Sequence, residues 1–180
     1  ATTGNLNNEI GVPLTLLNLS PAHEWAVIEM GMNHAGEISR LSRIAMPDIA
    51  VVTNTAGVHL EGLGTIENVA RAKAEIFDGM RENGTAILNA RDLNLDILES
   101  RASETANVSR ILFFGSETGA DVRADGIEPV MDGIRFSVQI SGEPCEARVH
   151  SPARFMVDNC LAAAAAASLA GIDSTNICRG

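Results

Sequence analysis

Ile49-Ala-Val-Val-Thr-Asn54 and Thr85-Ala-Ile-Leu-Asn89, with Thr65-Ile-Glu-Asn-Val-Ala-Arg-Ala-Lys-Ala-Glu-Ile-Phe-Asp-Gly79 between them, decide the fold. Each flanking run is short, mostly apolar and bounded by polar or turn-forming residues, the pattern of a strand buried on both faces. In the middle segment Ile66, Val69, Ala70, Ile76, Phe77 and Met80 recur at spacings of about three, four and seven, which places them on one helix face. Strand, helix and strand in this order form a parallel crossover unit.

Working outward, Trp25-Ala-Val-Ile-Glu-Met30 and Arg110-Ile-Leu-Phe-Phe114 have the same buried-strand character. Gly36 to Ala45 has helical periodicity and stops before Pro47, and a further helix is expected around Leu93 to Ser100. The expected fold class is α/β, a mostly parallel doubly wound sheet flanked by helices. Beyond Phe114 the pattern changes. Val122 to Glu128, Gly133 to Ser141 and Cys145 to His150 are separated by Asp132-Gly133 and Ser141-Gly142, which are hairpin signals. They predict a small antiparallel section near residues 122–150. Ser151-Pro152 introduces an alanine-rich helix, roughly Ala153 to Ala170, with Gly171 as its C′ residue. Asp173 or Ser174 would cap a last helix, which the chain end truncates.

The 180 residues suit a single domain with a real core. A formal charge of −10, no tyrosine and only 3% aromatic residues argue against nucleic acid or an anionic membrane as partner. No apolar run approaches the ~18–20 residues of a membrane span. Ala1-Thr-Thr-Gly-Asn5 lacks the basic and apolar regions of a signal peptide and reads as the start of a piece cut from something longer. Cys145, Cys160 and Cys178 are odd in number and widely spaced, which predicts a reducing, cytoplasmic setting without a disulfide framework.

Lys73 is the only lysine; the other twelve basic side chains are arginines. It falls on the apolar face of its helix. A lysine drawn into low dielectric loses basicity and becomes available as a neutral amine, whereas an arginine stays charged. The alternative is a lysine stem lying along the core edge. Glu29 closes the Trp25–Met30 run, and His59 lies just past Asn54, in Asn54-Thr-Ala-Gly-Val-His-Leu-Glu-Gly62. Carboxyl ends of neighbouring strands line the ligand crevice of open α/β sheets. Glu29 therefore reads either as an oxygen ligand for Mg²⁺ or as a strand-end acid capping the next loop. His59 reads as a ligand or a backbone-bonded loop residue, and His34 as a ligand or a turn residue. Asn5, Asn7 and Asn8 stand in the amide-rich loop Gly4-Asn-Leu-Asn-Asn8, a turn before a helix or a substrate loop. The chain contains no Gly-x-x-x-x-Gly-Lys-Ser/Thr, no Gly-x-Ser-x-Gly and no His-Glu-x-x-His.

Taken together, Gly4-Asn-Leu-Asn-Asn-Glu-Ile-Gly-Val-Pro-Leu-Thr-Leu-Leu17, Ala26-Val-Ile-Glu-Met-Gly-Met-Asn-His-Ala-Gly-Glu-Ile38, His59-Leu-Glu-Gly-Leu-Gly64 and Ala72-Lys-Ala-Glu-Ile-Phe77 resemble the Mur ligases, and among them the D-alanyl-D-alanine-adding branch. The resemblance spans nearly the whole chain but only the later part of the family's central ATPase domain. It implies that the P-loop strand lies before Ala1 and that both flanking domains fall outside residues 1–180. It also implies an ATP-dependent ligase joining UDP-N-acetylmuramoyl-tripeptide to D-alanyl-D-alanine in cytoplasmic peptidoglycan precursor synthesis, acting as a monomer. By the same resemblance Glu29 binds Mg²⁺ near the ATP phosphates and His59 binds a second Mg²⁺. Lys73 takes up CO₂ as a carbamate that organises that second ion, Asn159 contacts adenine, and Asn5, Asn7 and Asn8 face the substrate. Phe155 and Met156 depart from the pattern, standing where the family has a histidine or another polar residue. Two rival readings are a Mur-superfamily ligase for another amino acid or for folate, and a non-catalytic α/β module that lost its phosphate loop.

Overall fold

The computed structural model describes residues 1–56, 60–140 and 144–179. Six strands, β1 (Ile49–Val52), β2 (Gly84–Asn89), β3 (Val108–Gly115), β4 (Val122–Val130), β5 (Gly133–Gln139) and β6 (Cys145–Val149), lie in that order in one sheet. β1, β2, β3 and β4 pair in parallel, and β4–β5 and β5–β6 pair antiparallel. The expected antiparallel section is thus a continuation of the parallel sheet. Met131-Asp132 forms the β4–β5 turn, one residue earlier than expected, with Gly133 already in β5 opposite Val130; Ser141-Gly142 lies outside the described residues.

Side-chain alternation explains why β1 to β3 are mostly apolar where both faces are covered, with Ser109 and Arg110 confined to the exposed start of β3. Ile49, Val51, Ile87, Leu112 and Phe114 join the core on one face, under α6 (Phe155–Leu169). Ala50, Val52, Ala86 and Leu88 join the core on the other face, under α4 (Ile66–Ala74), α5 (Leu95–Glu104) and the 3₁₀ turn Glu75–Gly79. A period-two chain covered on both sides has no polar face to show. The α6 C-terminus is a Schellman motif: Gly171, at φ +82°, donates to the Ser168 carbonyl and Ile172 to that of Ala167. Asp173 then caps α7 (Ser174–Arg179) by accepting the Asn176 N–H at 3.0 Å.

A third apolar cluster, holding Val12, Met32, Ile38, Leu41, Val69 and Ala72, joins α1 (Gly11–Leu17) and α2 (Glu37–Ala45) to α4. Glu75 accepts the Gly36 N–H at 2.7 and 2.9 Å, satisfying a free donor at the start of α2. The buried Ser42 hydroxyl donates to the Ile76 carbonyl and accepts the Gly79 N–H. These bonds fix the end of the Lys73 helix against α2.

Three expectations need correction. Trp25–Met30 is extended but joins no ladder. Its backbone partners are residues 2 and 7 (Thr2 N–H to the Val27 carbonyl, Glu29 N–H to Thr2 Oγ1, Gly31 N–H to the Asn7 carbonyl), and Trp25 and Val27 are exposed. The fifth helix begins at Leu95, with Leu93 exposed ahead of it, because Asp92 and Asn94 are engaged elsewhere. Cys145 and Cys178 are joined in a disulfide, their Cα atoms 6.3 Å apart. β6 and α7 pack side by side and bring together thiols that are 33 residues apart in sequence.

Two outcomes follow. A Cβ on Gly79 would overlap the Ser42 carbonyl carbon, so Gly79→Ala should cost about 1–3 kcal/mol in urea unfolding. Denatured without reductant, the chain should expose one reactive thiol, Cys160, and after reduction three. Closing a loop of this size is worth about 3–4 kcal/mol, so Cys145→Ser should lower the unfolding free energy by that order.

Candidate active site

The Gly4–Asn8 loop folds back on the Glu29 segment. Asn7 donates from Nδ2 to Glu29 Oε1 at 2.7 Å, and its carbonyl accepts the Gly31 N–H at 2.7 Å. Asn8 Oδ1 accepts the Ile10 and Gly11 N–H groups, at 3.1 and 2.9 Å, and so caps α1. The Asn5 carbonyl accepts the Asn7 N–H at 2.8 Å and tightens the turn. The loop therefore brings Asn7 to Glu29 and uses Asn8 for the helix start. Glu29 is exposed, and among the described residues its Oε2 takes no hydrogen bond.

His34 is a turn residue. It lies 3.1 Å from Glu37, whose carboxylate also accepts the Asn33 N–H at 2.7 Å. The Asn33 bond and then His34 hold the Glu37 carboxyl below its ordinary value. The loop is pressed against α3 (Leu60–Leu63): a Cβ on Gly62 would overlap the Asn33 carbonyl oxygen. His59 lies outside the described residues.

Lys73 is half-buried, and its Nζ donates to the Asn54 carbonyl at 2.5 Å, just beyond the end of β1. Burial holds its basicity below that of an ordinary lysine, while the Asp92 carboxylate pulls the other way. Beside it opens a cleft of about 430 Å³. Asn54 and Thr55 after β1 and Asn89, Arg91 and Asp92 at and after the end of β2 line its strand-end side, and Arg154, Phe155 and Asp158 line it from the start of α6. Burial pushes the Asp158 carboxyl up, against Arg91 and Arg154. Asn159 turns its amide to Met156 Sδ at 3.8 Å, while Phe155 and Asp158 face the cleft. Sequence reasoning missed Thr55, Asp92 and Asn94. The signal was the polar run Asn89-Ala-Arg-Asp-Leu-Asn94 immediately after a buried strand.

Residues 1–167 match the model of the Mur ligase middle domain. The chain belongs to that family. Among relatives of this Mur ligase middle domain, the UDP-N-acetylmuramoyl-tripeptide–D-alanyl-D-alanine ligase of Escherichia coli K12 is 42% identical over 164 residues, 91% of this chain and 36% of that protein. The enzyme of the same name from Haemophilus influenzae is 38% identical over 99% of this chain and 38% of its own length. The chain thus spans little more than a third of these relatives. The crystal structure of MurF from Acinetobacter baumannii superposes with a TM-score of 0.89 at 34% identity, over 99% of this chain and 38% of that one. MurF ligase from Thermotoga maritima, solved in complex with ADP, gives 0.81 at 28% identity over 98% of this chain and 40% of that one.

Glu29 suits Mg²⁺, since a carboxylate with one open oxygen is a hard ligand that leaves room for water and phosphate. Lys73 as an ammonium repels a cation and would offer oxygens only as a carbamate. Among the described residues no group of three histidine, cysteine, aspartate or glutamate side chains is placed to hold a metal.

The lowered basicity of Lys73 has a definite sign. The unfolded chain holds this proton more tightly, so the penalty is full at low pH. It is relieved as pH rises from the lowered folded value to the ordinary 10.5. In pH-rate acylation of the native chain, the Lys73 midpoint should fall below that of the urea-unfolded chain. Coincident midpoints would overturn the burial argument.

Proposed function

We propose that this chain is part of the central domain of an ATP-dependent ligase that joins D-alanyl-D-alanine to UDP-N-acetylmuramoyl-tripeptide, a cytoplasmic step of peptidoglycan precursor synthesis. The observation that carries the reading is the single lysine, half-buried against the Asn54 carbonyl at a strand end, beside a polar cleft. Identity of 42% to a ligase of that name supports the substrate class.

In this reading the terminal carboxylate of the tripeptide attacks the γ-phosphorus of ATP, releasing ADP and leaving an acyl phosphate. The amine of D-alanyl-D-alanine then attacks the acyl carbon and phosphate departs. Mg²⁺ supplies neutralisation of charge on the phosphoryl oxygens. Glu29 would hold one ion, with Asn7 fixing its carboxylate. Lys73 in its neutral form would add CO₂ with loss of one proton, and its carbamate with His59 would hold the second ion. Burial favours the neutral amine that this addition requires. The cleft between Asn89 and Phe155 would accept the nucleoside, with Phe155 as an apolar wall where the family has a polar one; Asn159, which does not line the cleft and turns its amide to Met156, would have to rotate to reach adenine. Asn8 would reach the substrate side less directly, since its Oδ1 serves the helix cap, and Asn7 would act through Glu29; Asn5 gives only its backbone carbonyl to the turn.

Residues 1–180 alone should release no ADP on addition of ATP and both substrates. In the full-length ligase, Lys73→Ala should cut kcat by about 10³-fold or more, with partial recovery on adding short carboxylic acids. Unchanged activity of Lys73→Ala would remove the carbamate role. A full-length protein without a Gly-Lys-Ser/Thr segment ahead of Ala1 would favour the non-catalytic module.

A further inference from the structure

The ladder of β1 ends at Val52, opposite Leu88, yet backbone groups of the next three residues are still held by side chains, and Thr55 is buried. Asn89 donates from Nδ2 to the Thr53 carbonyl at 3.0 Å, and Lys73 to the Asn54 carbonyl. The Thr55 N–H donates to Asp92 Oδ2 at 2.6 Å and the Thr55 hydroxyl to Asp92 Oδ1 at 2.5 Å. Asn94 donates its own N–H to Asp92 Oδ1 at 2.9 Å and its Nδ2 to Thr55 Oγ1 at 2.8 Å. Side chains of the loop after β2 thus replace the missing rungs. Among the described residues five polar ones are buried, Ser42, Thr55, Thr85, Asn89 and Asn94, and three of these stand here. Buried polar groups are costly unless fully bonded, so this concentration marks a built network and not a loop accident.

The directions of these bonds are forced. A carboxylate only accepts, so the Thr55 hydroxyl proton points at Asp92 and its lone pair takes the Asn94 amide. Asn54 sits between two pinned neighbours, Thr53 and Thr55, and its carbonyl direction follows from theirs.

We propose that Asp92, Thr55 and Asn94 are positioning residues for Lys73. They act through the Asn54 carbonyl, on which the lysine Nζ rests. The structural claim stands on geometry alone; its catalytic consequence rests on the ligase reading above.

Because Lys73 is the only lysine, acylation followed by peptide mass spectrometry reads it at one site, with the Ala1 amine as internal reference. Thr55→Val removes both hydroxyl bonds without altering charge, and Thr55→Ser keeps them. The Lys73/Ala1 rate ratio should rise roughly threefold or more in Thr55→Val, as expected for loss of a charged hydrogen bond's restraint. Thr55→Ser should stay close to wild type. An unchanged ratio in folded Thr55→Val overturns the proposal. If circular dichroism finds that variant unfolded, Thr55→Ala takes its place, removing the same hydroxyl bonds without altering charge; the same rise is expected, and an unchanged ratio there overturns the proposal equally. In the full-length ligase Thr55→Val should lower kcat about tenfold, with KM for the UDP-tripeptide within about twofold, and Thr55→Ser should recover the rate. A raised acylation ratio with unchanged kcat keeps the positioning claim and overturns its catalytic consequence. Lys73→Ala with full activity fails the carbamate reading and leaves the acylation arm standing.

Discussion

Parallel strands joined by helical crossovers have to be covered on both faces, and this constraint governs the protein. β1, β2 and β3 send successive side chains to opposite cores, one under α6 and one under α4, α5 and the 3₁₀ turn. Once both faces are closed, the strand ends are where backbone polar groups reach the surface. The cleft, Lys73 and the Asp92 network all lie there. Chemistry collects at the rim because the interior has no room for it.

The same constraint made this part of the fold legible. Ile49–Val52 and Ala86–Leu88 are apolar at every position, the pattern of strands covered on both faces. Trp25–Met30 carries the same pattern but joins no ladder, because composition records what a segment is suited to pair with and not whether its partner is adjacent. The disulfide was illegible for a related reason. Spacing along the chain says nothing about β6 and α7 lying side by side, which only the folded sheet arranges.

The candidate site was legible in its charged residues and hidden in its neutral ones. A lone lysine on an apolar helix face stands out by type, and the structure places it half-buried against a carbonyl. Asn8 looked equivalent to Asn7, yet one caps a helix and the other holds Glu29; the choice depends on which N–H groups happen to be free nearby. Thr55 and Asn94 are ordinary loop residues by composition. Their burial comes from where the loop after β2 passes the end of β1, a relation between segments 39 residues apart.

The junction between the two parts of the sheet is narrow. β3 and β4 share only the pairs Phe114–Val122 and Gly115–Arg123, whereas β4 and β5 are matched along most of their length. What bridges the seam is α6, which packs on strands from both sides of it through Val157, Leu161 and Ala165. Apolar contact is non-directional, unlike a ladder of hydrogen bonds. The hairpin half is therefore held to the parallel half largely by apolar packing, and the same helix that makes this join carries Phe155 and Asp158 into one wall of the cleft.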